Sequence, residues 1–106
     1  EYSFQLFFNK AVSLIAIPNV KVYRDGVLII DVNNELQYGL TDNDLFISNL
    51  TSYETFTNGS YSIVIEPNQV FSVTGFWQGF AINEWTFTVT DGEFDNTEFN
   101  NEFLIN

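Results

Sequence analysis

Large apolar and polar residues alternate along most of this chain with a period of two. Over residues 85–90, Trp85, Phe87 and Val89 alternate with Thr86, Thr88 and Thr90. This predicts a strand with one face on a core and the other in water. Tyr61, Ile63 and Ile65 alternate with Ser60, Ser62 and Val64, and Phe71 and Val73 with Ser72 and Thr74. Val20 and Val22 lie on one side of Asp25-Gly26, and Leu28, Ile30 and Val32 on the other. Both turn residues tolerate positive φ, so a hairpin is expected there. Residues 36–40 and 45–50 are further candidate strands, whereas no long stretch repeats at 3.6 residues.

Turn signals at Pro18-Asn19, Asn33-Asn34, Asp42-Asn43-Asp44, Asn58-Gly59, Pro67-Asn68, Gln78-Gly79 and Asp91-Gly92 punctuate these runs. Such spacing suits an all-β chain: a single antiparallel β-sandwich of about seven to nine strands. No linker, low-complexity tract or internal repeat divides the chain, so residues 1–106 are expected to form one domain.

Composition narrows the chemistry. With 106 residues, of which 45% are hydrophobic, folding is expected to leave roughly 6,000 Å² of an unfolded surface of roughly 18,000 Å² accessible. That supports a core without disulfides or metal. The chain has no cysteine and no histidine, which removes thiol nucleophiles, disulfides, thiolate zinc sites and the Ser-His-Asp triad. Fourteen acidic residues oppose three basic ones, for a net charge of −11. Nucleic acid and anionic membrane surfaces are therefore unfavourable partners. No apolar run approaches the ~20 residues of a membrane-spanning helix. The chain lacks methionine and starts Glu1-Tyr2-Ser3. Leader removal would leave such a start, and so would excision from a longer chain; the former points to export.

Three stretches within residues 20–66 carry a family resemblance. They are Val20-Lys21-Val22-Tyr23-Arg24-Asp25-Gly26-Val27-Leu28, then Thr41-Asp42 followed by Phe46 and Leu50, then Gly59-Ser60-Tyr61-Ser62-Ile63-Val64-Ile65. Together they resemble the opening hairpin, middle segment and G-x-Y strand of carboxypeptidase-regulatory-like, or transthyretin-like, β-sandwich domains of surface proteins. The chain differs in carrying Asn43-Asp44 where such domains usually have a glycine, and in a longer insertion between Leu50 and Gly59. The resemblance implies an Ig-like or transthyretin-like sandwich and a spacer or adhesion role.

The first residues suggest a more specific role. Tyr2, Phe4, Leu6 and Phe8 fall on one face of a strand. Four large apolar side chains in alternate positions suit a donor strand, which completes the sheet of a neighbouring subunit through main-chain bonds and side-chain pockets. Residues 1–9 are thus a candidate donor strand exchanged between copies of the chain; the alternative is the first strand of its own domain. Residues 93–106 form an acidic and aromatic strand or tail. There Phe103, Leu104 and Ile105 should pack on the domain or on a neighbour.

Other groups are candidates for ligands. Asp91, Glu93 and Asp95, with Asn96 and Glu98 close by, alternate in a way that could supply oxygens to Ca²⁺, the one candidate cofactor, which takes about six to eight. Asp42 and Asp44 around Asn43 are a second such cluster; neither fits an EF-hand loop. Glu54, Glu66 and Glu84 are glycosidase carboxylates by type alone, and no enzyme is expected. Trp77, Trp85, Tyr53 and Tyr61 could form a sugar-stacking face. Of these, Trp85 lies on the inner register of its strand, and Trp77 is expected to be exposed. Asn49-Leu50-Thr51 and Asn58-Gly59-Ser60 are N-glycosylation patterns, with Asn49 and Asn58 the acceptors.

The leading expectation is a non-catalytic structural subunit of an extracellular or surface assembly, filament- or pilus-like, whose partners are copies of itself. The alternatives are a carbohydrate- or Ca²⁺-binding adhesion module and a virion decoration or tail protein.

Overall fold

The computed structural model describes residues 4–17, 19–32, 37–48, 50, 53–95 and 102–105, with backbone alone for 94, 95 and 102. These residues are all-β. Twelve strands are arranged in sheets of five, four and three.

The five-stranded sheet contains β3 (Val20–Arg24), β4 (Val27–Val32), β7 (Gly59–Ile65), β10 (Thr86–Thr90) and β11 (Glu93–Asp95), in the order β11-β10-β7-β3-β4. Asp25 and Gly26 join β3 to β4 with φ of 50° and 83°, and Asp91 and Gly92 join β10 to β11 with 51° and 80°. Positive φ at both turn positions matches the right-handed twist of the flanking strands. A register shift between Val22 and Tyr23 moves the pairing from Ile30 to Leu28. Beyond it, Val27 and Leu28 reach solvent at the sheet edge.

The four-stranded sheet holds β1 (Phe4–Phe8), β5 (Gln37–Thr41), β6 (Asp44–Ser48) and β12 (Glu102–Phe103), ordered β12-β1-β6-β5. The third sheet is a short excursion of β2 (Ser13–Leu14), β8 (Val70–Ser72) and β9 (Gly75–Phe76), in the order β2-β8-β9.

Alternation places the core between the elements. Phe4, Leu6 and Phe8 of β1, Leu45 and Ile47 of β6, and Val20, Val22, Tyr61, Ile63, Ile65, Phe87 and Val89 of the five-stranded sheet join one buried cluster. Aromatic rings bridge the two larger sheets. Phe4 meets Trp85 edge-on at 5.7 Å between ring centroids and lies 5.5 Å from Phe87. Tyr61 stacks on Phe87 at 4.9 Å and on Phe56 at 5.1 Å. The Tyr61 hydroxyl donates to the Thr57 carbonyl four residues upstream, fixing the entry of β7 into the sheet. The accessible surface is 5890 Å², close to the expectation from chain length.

Two expectations are corrected. Among the described residues there are twelve strands, above seven to nine, because β2, β9 and β12 are two-residue ladders too short to show alternation. The pairing is also not wholly antiparallel, because β12 runs parallel to β1.

Two substitutions test this framework. Tyr61→Phe keeps the stacked ring but leaves the Thr57 carbonyl without this donor. It should lower stability by about 1–2 kcal/mol, seen as a reduced urea midpoint at unchanged slope. Gly79 has φ of +70°, and a Cβ there would stand 2.0 Å from the Ile65 carbonyl oxygen. Gly79→Ala must therefore move backbone, and should cost roughly 3 kcal/mol or more in the same measurement.

Candidate functional site

The first candidate site is the slot filled by β1. Its antiparallel partner β6 aligns Phe4 with Ile47 and Leu6 with Leu45. On its other edge, Phe7 and Phe8 lie opposite Glu102 and Phe103 of the parallel β12. Phe4, Leu6 and Phe8 are each no more than 1% exposed. Gln5 is exposed, and its side-chain amide donates to Asp44 at 3.2 Å.

Two asparagines clamp the end of this strand. The Phe8 amide donates to the Asn43 carbonyl at 2.9 Å, and Asn43 Nδ2 donates back to the Phe8 carbonyl at 2.9 Å. On the opposite edge, the Ile105 amide donates to Asn9 Oδ1 at 2.9 Å, and Asn9 Nδ2 donates to the Ile105 carbonyl at 3.3 Å. A side-chain amide carries one donor group and one acceptor, so it can replace a backbone unit at the end of a ladder. Asn43 reads in the sequence as a turn residue, and Asn9 as the last residue of the candidate donor strand. Their alignment with a strand edge is a product of the fold.

The candidate donor residues Phe4, Leu6 and Phe8 thus lie inside the chain's own sheet, while Tyr2 lies outside the described residues. The segment with Phe103 and Ile105 packs on this same domain. Ile105 is 1% exposed, and the Phe103 ring meets Phe80 at 5.1 Å and Phe8 at 6.1 Å, whereas Leu104 faces solvent.

Of the aromatics considered for sugar stacking, Trp85 is in the core as its register implied. Trp77 is not exposed as expected. It is 5% exposed and meets Phe80 edge-on at 4.9 Å and Phe8 at 5.1 Å. A bond from the Trp77 amide to the Val70 carbonyl continues the β8–β9 pairing beyond Phe76, so Phe76 turns outward and Trp77 inward. Tyr61 is also core, which leaves Tyr53 as the exposed member of that set.

The acidic candidates sit in turns and edges. Asp91 is the first residue of the β10–β11 turn, and its amide donates to Asn58 Oδ1 at 2.8 Å. Glu93 is exposed, and the Asp95 side chain lies outside the described residues. Asp42 opens the β5–β6 turn with φ of 51°. Among the described residues, no three acidic side chains group to hold a metal ion. Asn58 is exposed and Asn49 lies outside the described residues.

Reading of the sequence missed a second site. On the outer face of the five-stranded sheet is a groove of about 620 Å³. Its floor is laid down by strand register: Thr86 opposite Ser62, Ser62 opposite Tyr23, and Thr88 opposite Ser60. One wall is the turn carrying Ile82 and Asn83, pinned by the Asn83 amide donating to Ser62 Oγ at 2.8 Å. This contact explains why Ser62, on an outward position, is 4% exposed. The other wall is the Asp25-Gly26 turn. Its Asp25 amide donates to the Ser60 carbonyl at 2.7 Å, and the Ser60 amide to Asp25 Oδ1 at 3.0 Å. Next to that turn, Arg24 donates to the Thr55 carbonyl at 3.3 Å. The bond from its guanidinium to Tyr61, with Glu54 and Asp25 nearby, outweighs desolvation and raises its pKa above the ordinary value. Alternating Ser and Thr were legible as a polar face, but the two walls that make it a groove come from turns far apart in sequence.

Comparison of the chain with known protein families, curated proteins and solved structures finds no match. Among the described residues, no helix is long and apolar enough to cross a membrane.

The asparagine clasp gives a direct test. Asn9→Ala should release the Ile105 amide, lowering its hydrogen-exchange protection toward that of a frayed end. The loss in global stability should be about 1–2 kcal/mol. Unchanged protection at Ile105 would show that the clasp does not hold the segment.

Proposed function

We propose that the chain is a non-catalytic structural subunit of an extracellular or cell-surface assembly, polymerising with copies of itself by β-strand complementation. The two larger sheets, bridged by Phe4, Trp85 and Phe87, are read as the halves of one β-sandwich. The tyrosine corner formed by Tyr61 and Thr57 supports this reading, since such corners recur in sandwiches with Greek-key connections.

The observation that carries the proposal is the β1 slot. Every alternate side chain from Phe4 to Phe8 is buried, and both edges of the strand are hydrogen-bonded. Truncating any one of these three side chains costs about 2–5 kcal/mol, against a total domain stability of about 5–15 kcal/mol. A sheet without this strand therefore has a strong demand for one. The strand meets that demand through backbone pairing and a row of pockets, neither of which depends on whether it belongs to the same chain.

Within one chain, β1 fills the slot at an effective concentration of order mM. Exchange between chains is favoured when subunits are packed at comparable density. A head-to-tail exchange of this kind does not close and gives filaments. A net charge of −11 opposes that packing at low salt and is screened as ionic strength rises.

The test uses the full chain and a variant lacking residues 1–9, compared by sedimentation and electron microscopy at matched concentration and salt. The full chain should form filaments. The shortened chain should not, and should bind a peptide of residues 1–9 with a gain in thermal midpoint. Normal assembly of the shortened chain would overturn the proposal, as would a full chain that stays monomeric across salt and concentration.

A further inference from the structure

The outer-face groove of the five-stranded sheet does no work in strand complementation, because it lies on the face turned away from β1. Its chemistry points to a ligand of its own. Tyr23 is half-buried on the floor, presenting an aromatic ring with a hydroxyl, and Ile82 stands at the rim with 52% exposure. Ser60, Thr86, Thr88 and Asn83, whose side chains carry hydroxyls and an amide, line the same groove. Asp25 brings a carboxylate to the opposite wall, with Oδ1 engaged by the Ser60 amide.

Both walls are held rigidly. The turn with Asn83 is tied down through Ser62 Oγ, and the turn with Asp25 is tied by two bonds to Ser60. Donors and acceptors fixed on turns that do not have to reorganise lose less entropy on binding.

We infer that this groove binds a neutral saccharide chain. A sugar ring offers an apolar C–H face and a rim of hydroxyls that both donate and accept. Tyr23 and Ile82 match the first, as amphipathic aromatic side chains do in binding sites. Ser60, Thr88, Asn83 and Asp25 match the second, the carboxylate accepting from hydroxyls and the amide doing both. The volume lies within the range of small-molecule sites. Charge selects against anionic polymers: with Asp25 in the wall and −11 on the chain, phosphate- and sulfate-bearing chains are repelled. Of the aromatic set that the sequence suggested, buried Tyr61 lines this groove from beneath, whereas Trp77 and Trp85 belong to the core alone.

The test is saturation-transfer-difference NMR with the full chain, which reads the ligand and so works for monomer and assembly alike. The probes are hexaoses of β-1,4-glucose, α-1,4-glucose, β-1,4-mannose and β-1,4-N-acetylglucosamine. At least one should give a saturable signal, with affinity confirmed by calorimetry. Tyr23→Ala and Thr88→Val should each weaken that affinity about tenfold or more. Phe46→Ala, on the exposed face of the other large sheet, should leave it unchanged. Thr88 is exposed and Thr88→Val retains shape and strand propensity; far-UV circular dichroism checks that both groove variants stay folded. No saturable signal from any of the four, or binding that both groove variants leave intact, would overturn the inference. Neither result bears on polymerisation, which the deletion of residues 1–9 reads separately.

Discussion

The structure depends on aromatic packing between its two larger sheets. The chain has no cysteine and hence no disulfide, so the sheets are held together by what their inner faces bury. Phe4 is the joint. It reaches from the four-stranded sheet to Trp85 and Phe87 of the other side, 5.7 and 5.5 Å away. From there the rings run on to Tyr61 and Phe56 in one direction and, through Phe80, to Trp77, Phe8 and Phe103 in the other. Each favourable ring pair contributes about 0.5–1.5 kcal/mol beyond the area it buries. A connected set therefore supplies a large part of a marginal stability.

This joint ties the first strand to everything else. A strand carrying Phe4, Leu6 and Phe8 is a structural member of the core and not an appendage. The same fact gives the strand value as a complementing element, since whatever fills that slot completes the core. Asn9 and Asn43 sharpen the slot by ending its two ladders with side-chain amides. The C-terminal residues are then held parallel to β1, which places both ends of the described chain along one edge of the core.

The outer face obeys different physics. The inner face of β7 and β10 is fixed by packing, and the outer face by which turns fold back over it. The Asp25-Gly26 turn closes one side because positive φ at both positions bends β3 directly into β4. The turn at Ile82 and Asn83 closes the other because Ser62 offers it a hydrogen bond in place of water. A hydroxyl-bearing sheet face thereby becomes a concave surface at no cost to the core.

Much of the fold was legible from the chain alone. Alternation located β1, β3, β4, β6, β7, β8 and β10, and the Asp-Gly pairs at 25–26 and 91–92 marked their turns, because period and turn chemistry are local properties. Alternation also placed Trp85 in the core, while Ser62 broke the pattern by being covered. Tertiary structure alone decided the rest. It turned Trp77 inward, because a single backbone bond to Val70 extends the β8–β9 ladder. It ran β12 parallel to β1, since two residues carry no register of their own. It set Asn9 beside Ile105 across almost the whole length of the chain, and it brought Ile82 and Asn83 over Tyr23 and Ser62. Each of these depends on contacts between residues distant in sequence, which no local pattern encodes.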